Sequence, residues 1–146
     1  MNAPLLFLRL VTGGVFIFSG WQKLMAPIEE FRAVILEYRF FPQAIAETAA
    51  AIVPWMELGT GVLVVLGICT RWSGAVLALL LSSFIFLLVR SQILGFSILE
   101  CGCFGSGLTL SPKQAILFDS CLLMCCLMLI RKGAGRWSLD HWFNRA

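Results

Sequence analysis

Glu100-Cys101-Gly102-Cys103-Phe104-Gly105-Ser106-Gly107 sets two thiols, one glycine apart, on a short polar island between two long apolar runs. Bridging residues i and i+2 needs a bent backbone to bring the Cα atoms into disulfide range, and Gly102 permits that bend. Such a ring is strained, and strained or exposed disulfides are the ones that are made and broken. The same spacing also suits a structural disulfide, a soft-metal ligand pair or unreactive thiols, so the residues alone leave those readings open.

Three charges fall inside apolar runs: Arg9, Glu57 and Asp119. Each costs a few kcal/mol or more against lipid, on the order of 2.5–3.5 by insertion scales, so each is expected to face the bundle interior, a partner or a cavity. At ~1.5 Å per residue, Glu57 and Asp119 both fall roughly 10 Å below the cysteine face, with Arg9 nearer the opposite face. Two carboxylates at one level disfavour double ionisation, and a proton carrier beneath a redox loop is what quinone reduction requires. The plainer reading is that Arg9 reaches one of the acids as a structural ion pair.

These residues need a scaffold, and composition says which solvent it faces. Sixty per cent of the 146 residues are hydrophobic and 13% are charged, which points to lipid around most of the chain. The net charge of +3 comes from cations at the ends of apolar runs, with no basic block of the kind nucleic acid requires. The N-terminus lacks a basic start and a small-x-small cleavage site, so its run reads as a retained membrane helix.

The predicted fold is all-α: a polytopic four-transmembrane-helix bundle forming a single domain over 1–146, with spans near 4–24, 49–69, 72–90 and 112–130. Trp21 and Lys23 mark an interfacial end of the first span. Ile28, Phe31, Val34, Ile35 and Tyr38 repeat at helical spacing, giving a short amphipathic interfacial helix or one packed over the bundle mouth. The apolar run from Gln43 to Cys69 carries Pro54, a kink site, and Thr70-Arg71 is a very short link to the next span. Ser111-Pro112 is a helix start, a cap residue followed by proline.

Four spans put both termini and the Arg71 turn on one side, with the amphipathic helix and cysteine loop on the other. Basic residues divide evenly between the sides, but those of the turn and tail are denser, which favours cytoplasmic termini and a periplasmic cysteine loop in a bacterial inner membrane. A disulfide also persists outside the cytoplasm and not within it. Cys121, Cys125 and Cys126 lie in the last span, where packing is the default and an electron relay through Cys121 and Cys125 the alternative. Gly13, Gly14 and Gly20 suggest close helix contact. His141, the one histidine, sits between tail tryptophans and leaves no zinc or haem site.

The stretch from Arg9 through Gly13, Gly14, Gly20, Trp21 and Lys23 resembles the first-helix signature of DoxX-type membrane proteins, and Pro54 with Glu57 through Gly67 resembles their second helix. Cys101-Gly-Cys103-Phe-Gly105, with Asp119 in the following helix, is similar to the MauE branch, whose members are implicated in maturing disulfide-rich periplasmic enzyme subunits beside a thioredoxin-like partner. The resemblance implies that Cys101 and Cys103 are the redox pair and that Arg9, Lys23, Glu57 and Asp119 are the polar positions that matter in the bundle. Glu57 and Asp119 would then share the chemistry with the cysteines, and Lys23, Trp21 and Arg9 would hold a membrane quinone. Phe118 departs from the pattern, standing where many relatives carry a basic residue, and so do the three extra cysteines of the last span.

The function expected is a membrane thiol-disulfide oxidoreductase exchanging electrons between a periplasmic thioredoxin-like protein and quinone. Its rival is a non-catalytic membrane scaffold for a redox or sulfur-transfer complex, with the cysteine pair structural. Soft-metal binding is poorly served by two ligands.

Overall fold

A computed structural model describes residues 3–95 and 111–133. Cys101, Cys103 and Glu100 of the cysteine segment, and His141 of the tail, lie outside the described residues. The described residues are helical throughout their regular structure: α1 (Ala3–Met25), α2 (Ile28–Glu37), α3 (Gln43–Leu66), α4 (Thr70–Ile93) and α5 (Pro112–Lys132). α1, α3, α4 and α5 are each long and apolar enough to cross a membrane. This is the expected four-span bundle, with α2 as the short fifth element.

α1 lies along α3, and α4 along α5. The first pairing is made possible by missing side chains. A Cβ on Gly13 would stand 2.8 Å from the Gly61 carbonyl oxygen, and one on Gly20 would stand 2.8 Å from both Pro54 O and Leu58 N. Those obstacles are backbone and cannot swing away, so only glycine lets the two helices approach this closely. Gly14 differs from the expectation for the trio: a Cβ there meets nothing within 4 Å, because it points off the seam. Where the helices converge, Phe16, Val64, Leu77, Leu122 and Leu129 are buried together as the core.

The α3–α4 connection is set by backbone conformation. Gly67 adopts a left-handed φ of 73°, and Ile68 N–H donates to Leu63 O, closing α3 in a Schellman-type cap. The second span therefore ends at Leu66, short of the Cys69 read from hydropathy, and the next begins at Thr70. α5 opens as expected at Ser111-Pro112. Ser111 Oγ accepts from Gln114 N–H while Gln114 Oε1 accepts from Ser111 N–H, a capping box that satisfies two orphan donors.

α2 is not left lying alone on a membrane surface. Its apolar face, Phe31 and Ile35, packs on Ala46 and Ala50 of α3, in the first turns of that helix beyond the end of α1. Arg90, near the end of α4, donates to Tyr38 O at 3.2 Å and stands 5.0 Å over the Phe40 ring, tying the α2–α3 turn to α4.

Candidate functional site

The buried residues of α1 form one stripe: Arg9, Thr12, Gly13, Phe16, Ser19, Gly20 and Lys23. Steps of three and four keep all of them on a single face, the face laid against α3. Long side chains on a helix lean toward its N-terminus. α1 and α3 are antiparallel, so Lys23 and Glu57 lean toward one another. Lys23 Nζ contacts Glu57 Oε1 at 2.7 Å and Oε2 at 2.8 Å, and both side chains are 1% exposed. Ser19 Oγ donates to Glu57 Oε2 at 3.0 Å. The ammonium also stands 4.9 Å from the Phe31 ring centroid and 5.1 Å from that of Phe84, so aromatic faces cover what the carboxylate does not.

Glu57 and Asp119 line the same cavity, of about 20 Å³, with Ser19, Phe84 and Leu122 among its other walls. That is room for about one water molecule, and the walls supply the polar partners such a water needs. A larger cavity, of about 190 Å³, lies beneath α2 between α3 and α4. Its lining carries no charged side chain, and Phe84 belongs to both cavities.

Arg9 does something else. Its Nε donates to Val64 O at 3.0 Å, an oxygen that also accepts from Gly67 N–H, and its Nη2 to Val65 O at 2.8 Å, at the negative end of the α3 dipole. It caps a helix end, and the ion pair with Glu57 belongs to Lys23. Arg9 lies fourteen residues before Lys23 on α1, ~21 Å along the axis. Trp21 is also apart from the acids, 54% exposed on the outer face of α1. Of the three residues expected to hold a quinone, only Lys23 is beside the carboxylates. Lys23 is moreover a buried ion-pair member and not an interfacial anchor.

The family model for methylamine utilisation protein MauE matches residues 1–132. The chain belongs to the MauE family. A curated relative, methylamine utilization protein MauE of Methylorubrum extorquens, is 30% identical over 124 residues, covering 81% of this chain and 67% of the relative. No solved structure matches. Membership and four apolar helices make this MauE-family protein a multi-pass membrane protein.

Among the described residues of this MauE-family protein, no three His, Cys, Asp or Glu side chains gather as a metal site. Cys121 is exposed, Cys125 half-buried and Cys126 buried, and none of the three is bridged. Sequence reasoning missed Ser19, Phe31 and Phe84. Ser19 was readable: it stands four residues before Lys23 and on the Gly13–Gly20 stripe. The two phenylalanines were not, because aromatic residues at helical spacing look the same whether they meet a cation or fill a core.

Proposed function

We propose that this MauE-family protein is a redox-active membrane protein, a thiol-disulfide oxidoreductase that moves two electrons between a periplasmic thioredoxin-like partner and membrane quinone through Cys101 and Cys103. The observation that carries this reading is the Cys101-Gly-Cys103 couple, in the segment joining the end of α4 to the start of α5. The buried acids of the bundle support it, because Glu57 and Asp119 meet in one cavity about two turns below the start of α5, in the half of the bundle where α4 ends and α5 begins.

A thiolate of the partner attacks the Cys101–Cys103 disulfide, forming a mixed disulfide and releasing one thiolate. The partner's second thiol then displaces the other, so the partner leaves oxidised and the protein holds a dithiol. Re-forming the Cys101–Cys103 bond gives up two electrons and two protons, which convert a quinone to its quinol. In this reading Glu57 and Asp119 carry protons past the one-water cavity, Ser19 orients the Glu57 carboxylate and Lys23 balances its charge. The termini lie in the cytoplasm, since a couple that must exist as a disulfide belongs on the oxidising side.

The test is quinol formation by the purified protein in detergent, supplied with a short-chain quinone and a reduced thioredoxin-like protein. Cys101→Ser and Cys103→Ser are each expected to abolish turnover. Full turnover in either variant would leave the couple structural and the protein a scaffold.

A further inference from the structure

We infer that the 190 Å³ cavity beneath α2 is the binding site for the ring of an uncharged, lipid-soluble quinone, with Phe84 as the wall between that ring and the Glu57–Asp119 cavity. This placement rests on the reading above for its biological meaning.

Size is the first consideration. A dry apolar cavity of about 150 Å³ is enough to take up a benzene ring, and this one is larger. Chemistry is the second. With no charged side chain in the lining, a ligand carrying a fixed charge would be stripped of solvent without a counter-ion. Aromatic residues from three elements, Phe31 and Tyr38 in and just after α2, Phe41 in the turn and Phe84 on α4, surround the space, and aromatic neighbours favour a flat ring over an acyl chain. Tyr38 and Ser83 are the hydroxyl-bearing residues of the lining.

Access is the third. Ser83 is exposed on a membrane-spanning helix, so the cavity opens sideways into the bilayer, the route a lipid-dissolved ligand takes. Phe84 supplies the last element. Its ring stands 5.1 Å from Lys23 Nζ on one side and lines both cavities, so a ring seated under α2 is separated from the acids by one side chain.

The test is photolabelling of the full protein in detergent with an arylazido benzoquinone bearing a short alkyl tail, followed by peptide mapping. Label is expected on residues 31–41 and 80–87, competed away by excess unlabelled quinone. Ser83→Trp, a bulky replacement at an exposed position, is expected to weaken binding at least tenfold. Leu79→Trp, on the exposed face one turn away, controls for bulk and is expected to leave binding unchanged. Label that excess quinone does not displace, label confined to other segments, or unaltered affinity in Ser83→Trp overturns the site. Competable, Ser83-sensitive labelling without thiol-dependent quinol formation keeps the site and overturns the oxidoreductase. Turnover with Ser83→Trp fully active does the reverse.

Discussion

Lys23 Nζ contacts both carboxylate oxygens of Glu57, while Ser19, one turn back on the same helix, donates to the second of them. Removing one member of such a buried pair strands the other charge, at a cost of about 3–5 kcal/mol, whereas replacing both with apolar groups is often neutral or better. Lys23→Met and Glu57→Leu are therefore each expected to lower the melting temperature in detergent sharply, and the double variant to recover most of the loss. If the pair also serves the chemistry, the recovered double variant stays inactive in quinol formation.

Gly20→Ala and Gly14→Ala separate two roles of glycine in one helix. At Gly20 the added methyl meets backbone atoms of α3 at 2.8 Å, so α1 must move away and stability falls. At Gly14 it meets nothing, and alanine's better helix propensity is worth up to about 1 kcal/mol in the stabilising direction. Thermal unfolding of the two variants should shift in opposite directions.

Arg9→Lys tests the cap on α3. A lysine cannot reproduce two donors from one planar group, so the conservative change is expected to destabilise by about 1–3 kcal/mol. Its KM for quinone should stay at the wild-type value, because Arg9 is not among the lining residues of either cavity. A raised KM with unchanged melting would restore Arg9 to the quinone site.

Orientation is checked with a membrane-impermeant thiol reagent on intact, reduced cells carrying single-cysteine variants. A chain with only Cys101 or Cys103 is expected to label at once. One with only Cys69, exposed at the opposite turn, is expected to label after lysis. The reverse pattern inverts the topology.

Hydropathy and helix signals made much of this architecture legible. The four long apolar runs, the periodicity of α2 and the Ser111-Pro112 start each reflect a local rule acting without competition. Boundaries were less so: Gly67, not the end of the apolar run at Cys69, stops α3, because a left-handed residue breaks the helix whatever follows it. Local pattern makes Lys23 an interfacial anchor, a cation near a tryptophan at a span's end, and only the family resemblance sets it among the polar positions inside the bundle. Its partner lies thirty-four residues away on another helix, and only the α1–α3 approach reveals it. The same approach separates Gly13 and Gly20 from Gly14. Which acid Arg9 or Lys23 would reach depended on tilt and register that spacing along one chain does not encode.

Backbone-to-backbone contact at Gly13, Gly20 and Gly61 leaves no slack between α1 and α3. α4 and α5 form the other pair, joined to the first in sequence by a three-residue turn at the far end. Lys23 and Glu57 both ride on the first pair, so a shift of α4 and α5 as a unit would leave their contact in place, whereas the Arg90–Tyr38 tie across the α2 end would have to give.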